Sequence, residues 1–101
     1  MEPKIIEILF DIRERPNIYI GKPSLELLYS FLCGGICFLY FYEGKYYDFL
    51  PGFQEFLEKK YNIKENYGIV RIIQGLCNHD SEAFYKFYDL LDEFLSSQNN
   101  L

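Results

Sequence analysis

The sequence has a single histidine, no tryptophan and no excess of basic residues, and these shortages narrow what the chain can do. Acid–base hydrolysis by a pair of histidines cannot be built from His79 alone. Ten Lys and Arg stand against fifteen Asp and Glu, which gives a net charge of −5. A chain of this charge has no general affinity for nucleic acid and is repelled by anionic membranes. Four prolines and seven glycines without a period exclude collagen-like and low-complexity classes.

Aromatic side chains are abundant, with ten Phe and ten Tyr among 101 residues. They supply enough apolar surface to offset the entropy of ordering the chain, so intrinsic disorder is excluded. A chain of this length is typical of a single domain with one core. We therefore expect one globular domain over residues 1–101.

Apolar residues recur at helical spacing in five segments, which predicts a compact all-α domain of about five helices. The fourth segment is rich in β-branched residues, so a strand is its less favoured alternative. Residues 46–50 are either a short strand or an irregular connector, and the polar tail from Ser96 is expected to fray. The five segments cover residues 3–14, 24–44, 52–61, 69–76 and 80–95.

Turn and cap residues separate these segments. Pro16 should end the first helix by Arg15, because the residue before a proline is pushed out of the α region. We expect a turn and a short extended piece from there to Gly21. Ser24 and Asp80 are the predicted N-caps of the second and last helices.

The second helix contains an apolar run from Leu27 to Tyr42. This run of sixteen residues falls short of the roughly 20 that a bilayer-spanning helix needs. Because it is apolar nearly all round, we expect a central helix buried in the core. Gly34 and Gly35 within it are expected to let a neighbouring element approach closely.

Three cysteines and the histidine have the stoichiometry of a Cys3His zinc site. Their spacing argues against one, because Cys33 and Cys37 lie within an apolar helix rather than on C-x2-C turns, and only Cys77 is close to His79. We expect no metal, no cofactor and no catalytic cysteine, because nothing near the thiols marks an activated thiolate. An odd number of cysteines without a signal peptide predicts a reducing cytoplasm. Phosphate-loop, dinucleotide and zincin motifs are missing as well.

Acidic residues are concentrated at the end of the chain, where residues 80–101 carry a charge of −4. The inner face of the last helix is assigned to aromatic and leucine side chains, so Glu82, Asp89, Asp92 and Glu93 should face outward. These four are the predicted partner-binding residues, available to Lys and Arg of a basic protein. The alternative is a solvated face that only keeps the protein soluble.

Two motifs near the start of the chain and one at its end carry a family resemblance. The pattern R-x-R-P-x-x-Y-[IL]-G is followed by S-L-x-x-L-x-x-F-L, and a closing aromatic helix has the form E-A-F-x-x-F. The matching residues are Arg13, Arg15, Pro16, Tyr19, Ile20 and Gly21, then Ser24, Leu25, Leu28, Phe31 and Leu32, and finally Glu82, Ala83, Phe84 and Phe87. With these residues the chain resembles small bacterial immunity proteins of polymorphic toxin and contact-dependent growth inhibition systems.

The resemblance implies a cytoplasmic protein without enzymatic activity that binds a cognate toxin domain. Because the inhibitor is acidic, the expected toxin is a basic nuclease, with no direct binding of nucleic acid or membrane by this chain. A structural role is expected for Arg15, Pro16, Tyr19 and Gly21. Two alternatives stay open, namely a regulatory interaction module without a toxin partner and an enzyme or zinc protein built on the cysteines.

Overall fold

Six helices follow one another in the computed structural model, which describes residues 3–45 and 49–99 and has no strand among them. The predicted all-α class is therefore confirmed, with one helix more than expected. The helices are α1 (Pro3–Glu14), α2 (Pro16–Tyr19), α3 (Leu25–Glu43), α4 (Phe49–Lys60), α5 (Ile69–Gln74) and α6 (Asp80–Asn99).

The last helix, α6, lies at the centre of the packing. Its inner face is apolar except for the hydroxyl of Tyr88, and it packs against α3, α4 and α5. On α4, the ring of Phe53 meets Phe87 and Phe94 edge-on, with 5.5 Å between ring centroids in each pair. On α1, the carbonyl oxygen of Leu9 accepts a hydrogen bond of 2.6 Å from the buried Tyr88 hydroxyl. The buried side chains of α6 are Ala83, Phe84, Phe87, Tyr88, Leu90, Leu91 and Phe94.

A polar junction ties the beginning of α3 to the beginning of α6. Ser24 caps α3 as predicted, because its hydroxyl accepts a hydrogen bond from the Leu27 amide at 3.2 Å. The same hydroxyl donates to the carboxylate of Asp80. Asp80 is the first residue of α6, and its carboxylate also accepts a hydrogen bond of 3.4 Å from the side-chain amide of Gln74. The prediction that Asp80 is the N-cap of its own helix is wrong. Helix α6 begins at Asp80 itself, and the Asp80 carboxylate bonds to Ser24 and Gln74 instead.

The segment between α1 and α3 differs from the expected turn and extended piece. The first helix ends at Glu14, as Pro16 predicts, but Pro16 then begins a one-turn helix, α2. Proline is suited to this position, since its fixed φ is helical and its missing N–H is not needed in the first turn. Gly21 has φ +90°, in the left-handed region that favours glycine, so its predicted role in a turn is confirmed.

The prediction that the second helix is buried in the core is wrong. Helix α3 has only three buried residues, Leu25, Leu28 and Leu32, and all lie in its first half. Its second half extends along the surface with exposed aromatic side chains and ends at Gly44, whose φ of 68° closes the helix. The all-round apolar sequence indicated burial, but the rest of this small domain covers only one side of the helix.

Among the described residues, α3 is long and apolar enough to cross a membrane by length and composition, with a mean hydropathy of 1.5. Only 17% of its most apolar window is buried. The length of 19 residues exceeds the run of sixteen counted in the sequence, because the helix includes Leu25, Glu26 and Glu43.

The remaining segments agree with the sequence in type and differ at their ends. Helix α4 begins at Phe49, and Tyr46, Tyr47 and Asp48 of the ambiguous connector lie outside the described residues. The β-branched segment is a helix, α5, because its buried residues are spaced for a helical face. The polar tail is helical through Asn99.

We predict that replacing Tyr88 by Phe changes stability in a pH-dependent way. At neutral pH, loss of the hydrogen bond to Leu9 should lower the free energy of unfolding by about 1 kcal/mol. Burial raises the pKa of Tyr88 above its ordinary value of 10.0, although the nearby Arg13 guanidinium opposes this rise. Wild-type stability should therefore fall as the pH rises above 10, because the unfolded chain releases this proton first. Urea unfolding at pH 8 to 11 should show a shallower decline for Tyr88→Phe, at about 1 kcal/mol less per pH unit.

The exposed Tyr85 on the same helix provides the matched control for this series. Tyr85→Phe removes an exposed hydroxyl and should change the free energy of unfolding at pH 8 by less than about 0.5 kcal/mol. Equal alkaline slopes for wild type and Tyr88→Phe would contradict the assignment.

We predict a second stability effect at the junction between α3 and α6. Ser24→Ala removes both the cap of α3 and the hydrogen bond to Asp80, and it should lower the free energy of unfolding by about 1–2 kcal/mol. Ser30→Ala, at an exposed position of α3, is the control and should change stability by less than about 0.5 kcal/mol. Urea titrations that give equal values for the two variants would rule out the junction as a source of stability.

Candidate partner-binding face

The outward side of α6 brings together the four acidic residues that the sequence singled out. Glu82, Asp89, Asp92 and Glu93 are all exposed, on the side of the helix opposite to its buried face. With the half-exposed Tyr85 they form a surface that we call the acidic face. The alternation of aromatic and acidic residues along α6 positions them in this way, because an apolar face at helical spacing leaves the remaining positions to solvent.

Two of these carboxylates are already paired with basic side chains of neighbouring helices. Arg13 of α1 lies 3.3 Å from Asp92, and its guanidinium also lies over the ring of Phe10, 5.1 Å from the centroid. Lys60 of α4 lies 2.8 Å from Glu93, and the resulting hydrogen bond raises the pKa of Lys60. These pairs are partly exposed to solvent and therefore contribute little to stability.

The other two carboxylates differ in their surroundings. Glu82 accepts a hydrogen bond of 3.3 Å from the amide of Asn78, in the turn before α6. Asp89 lies one turn after Tyr85, near the middle of the acidic face, and forms no ion pair with any residue in the described ranges 3–45 and 49–99. Asp89 is therefore the carboxylate best placed to meet a basic side chain of another protein.

Sequence reasoning missed Arg13, Lys60 and Tyr85 as parts of this face. In the sequence Arg13 belongs only to a motif and nothing marks Lys60, because the contacts of both residues with α6 depend on tertiary packing. Tyr85 precedes Asp89 by four residues, a spacing that places both on one side of a helix, so the sequence did contain that signal. Tyrosine is enriched at the centres of protein interfaces, where its ring is buried and its hydroxyl still finds a partner.

Two of the four residues predicted to have a structural role, Arg15 and Tyr19, contact Asp11 of α1. The carboxylate of Asp11 accepts a hydrogen bond from the Tyr19 hydroxyl and lies 4.0 Å from the Arg15 guanidinium. The hydrogen bond is the main reason why the pKa of Tyr19 is raised. The Tyr19 ring also meets Phe31 of α3 edge-on at 6.4 Å between centroids. The segment from Pro16 to Gly21 thus connects α1 to α3.

The cysteines and the histidine do not form a metal site in the described part of the chain. No group of three or more His, Cys, Asp or Glu residues there is arranged to hold a metal ion. Cys33 and Cys37 on α3 are free, as is Cys77 in the turn before α6. Burial and the nearby Glu82 raise the pKa of Cys77, so its thiol is protonated at neutral pH and is a weak nucleophile.

Comparison with known proteins does not identify a relative. No family model, no curated protein and no solved structure matches this chain. The resemblance to immunity proteins therefore rests on the sequence motifs alone.

Proposed function

We propose that this chain is a cytoplasmic bacterial immunity protein that binds and neutralises a cognate toxin domain, most simply a basic nuclease. The observation that carries the proposal is the acidic face, which gathers four carboxylates and a half-exposed tyrosine on one side of one helix. The motif resemblance described above points in the same direction.

The chemistry of the acidic face is suited to a nuclease partner. A nuclease binds phosphate groups through Lys and Arg, and those side chains are free for an acidic protein when nucleic acid is not bound. Asp89, which has no ion-pair partner among the described residues, provides a charge for such a cleft, and Tyr85 adds apolar contact area beside it. Inhibition by this route requires no catalytic group in the inhibitor, only occupation of the surface that would hold phosphates.

The free state of all three cysteines is in keeping with a reducing cytoplasm, where a toxin must be neutralised before it damages its producer. A second candidate function is an interaction or regulatory module without a toxin partner. The exposed aromatic half of α3 favours it, because an apolar surface of that kind is typical of contacts with other proteins and the acidic face does not use it.

We predict that the toxic domain of a secreted protein encoded beside this chain will stop growth when produced alone and will be neutralised when both are produced together. The purified pair should elute as a stable complex, and the purified chain should inhibit the nuclease activity of the toxin at equimolar ratio. A neighbouring toxin that still kills in the presence of this chain, or the lack of any toxin gene nearby, would favour the second candidate function.

We predict that Asp89→Lys slows association with the toxin by about tenfold at low ionic strength, because complementary charge on the two surfaces steers their encounter. The loss should shrink at high salt, since mobile ions screen the charges. Reversal at Asp92 or Glu93 is a less clean test, because a new lysine there would lie beside Arg13 or Lys60.

Glu7→Lys on α1 is the matched control for this measurement, because Glu7 is exposed and the net charge changes by the same amount. It should change the association rate by less than about twofold. Stopped-flow or surface-based kinetics at two salt concentrations will measure both variants. Equal rates for Asp89→Lys and Glu7→Lys would place the interface elsewhere.

A further inference from the structure

Helix α3 carries a second apolar stripe on the side that faces away from the core. Leu27, Phe31, Gly34, Phe38 and Phe41 follow one another at intervals of four, three, four and three residues. This is the 3.5-residue repeat by which one α-helix packs along another. We call these five residues the outer stripe, and it extends over about 21 Å of the helix.

The outer stripe is exposed throughout its length. The exposed fraction rises along it, from 40% at Leu27 and 42% at Phe31 to 58% at Phe38 and 76% at Phe41. Tyr19 touches Phe31 edge-on, which covers part of the beginning of the stripe. Tyr42, itself 76% exposed, stacks on Phe38 with 4.4 Å between ring centroids and so holds the Phe38 ring in place.

Gly34 makes a notch in the middle of this stripe. A Cβ atom added there would have no heavy atom within 4 Å, so packing inside the protein does not require a glycine. Its φ lies outside the left-handed region, so the backbone does not require one either. Glycine inside a helix lowers the stability of the helix. A side chain of another molecule that packs into the notch would explain why a glycine is present here.

We propose that the outer stripe is the interface of a homodimer in which two copies of α3 pack antiparallel about a two-fold axis. In this arrangement Phe38 of each copy fills the notch at Gly34 of the other, while Phe31 of each copy packs against Phe41. Large residues then face small ones at the centre, as in well-packed helix pairs. A two-fold axis makes the surface complementary to itself.

The pattern of the stripe favours a second copy in the antiparallel sense. In a parallel pair Gly34 would face Gly34 and leave a void, and Phe38 would meet Phe38 at the same level. Antiparallel packing also places the opposite ends of the two helix dipoles side by side. A single stripe therefore provides both the protruding ring and the notch that receives it.

The exposed aromatic area is about the minimum that a specific interface buries. Phe31, Phe38, Phe41 and Tyr42 together expose about 500 Å², since an aromatic side chain has roughly 200 Å² to bury. Two copies bring about 1,000 Å² of aromatic surface alone, which is the lower bound for a specific interface.

The charges of the domain allow the two copies to approach. No charged residue occurs between Leu27 and Tyr42. The acidic face lies on the outward side of α6, whereas α3 packs its inner side on that helix, so the acidic faces of two copies would point away from the interface. The repulsion expected from a net charge of −5 per copy is thereby reduced.

Sedimentation of the full chain over a range of protein concentrations tests the proposal. The wild-type protein should pass from monomer to dimer as its concentration rises. Gly34→Leu fills the notch without any clash within the protein, so it should keep the helical circular dichroism spectrum and raise the dimer Kd at least about tenfold. Phe38→Lys should also prevent the dimer, because it places a charge at the centre of the interface.

Gly35→Ala is the matched control, because it improves helix propensity at a neighbouring open position that does not belong to the outer stripe. Its dimer Kd should stay within about twofold of the wild-type value. A wild-type protein that is monomeric at every concentration would overturn the proposal. So would a dimer that tolerates both Gly34→Leu and Phe38→Lys.

Flotation with phosphatidylcholine vesicles distinguishes the dimer from a membrane contact, since α3 is long and apolar enough for one. The dimer predicts that wild-type protein stays out of the vesicle fraction. Recovery of wild-type protein with the vesicles, with loss of that recovery in Phe38→Lys, would assign the outer stripe to lipid and overturn the dimer.

Discussion

The helices of this chain pack around α6, because the apolar face of α6 has to be shielded from water. Seven buried side chains on that face require partners on several sides, and they find them on α3, α4 and α5. The Tyr88 hydroxyl then fixes α1 through the Leu9 carbonyl, because a phenol taken out of water needs an acceptor close by. Ser24 and Asp80 set the relative positions of α3 and α6 at their N-terminal ends. Most of the fold therefore follows from the burial of one amphipathic helix.

Burial of one side of α6 determines the composition of its other side. Most positions that do not face the core are exposed to solvent. Four of the exposed positions are acidic, and the half-buried Lys86 lies beside them. The neighbouring helices partly neutralise this charge through Arg13 and Lys60, at the two edges of the acidic face. The centre, with Asp89 and Tyr85, keeps its charge and its aromatic ring available. A surface neutralised at its edges and charged at its centre is suited to the proposed basic partner.

Local periodicity predicted the five amphipathic helices α1, α3, α4, α5 and α6, because amphipathic spacing depends only on neighbours in sequence, but it missed the one-turn helix α2. It also predicted the cap at Ser24, the turn at Gly21 and the end of the second helix at Gly44, which are local as well. The acidic residues of α6 were assigned to the outside for the same reason. The sequence does not show how much of each helix is covered by the other helices. An all-round apolar helix such as α3 is compatible with burial on every side or with exposure on one, and only the number of available neighbours decides between them. The ion pairs of Asp92 and Glu93 likewise depend on which helices lie beside α6.

The two apolar stripes of α3 connect these observations. The inner stripe, at Leu25, Leu28 and Leu32, attaches the helix to the core formed around α6. The outer stripe repeats the apolar pattern on the opposite side of the helix. Its one small residue is Gly34, and neither the backbone conformation nor the surrounding protein requires a glycine at that position. A helix that served only as a cover for α6 would gain stability from polar residues and alanine on that side. The outer stripe is on the side of α3 that faces away from the core. A dimer formed through this stripe would therefore leave the acidic faces of both copies exposed. The proposed dimer and the proposed partner would therefore use different surfaces, the outer stripe of α3 and the acidic face of α6.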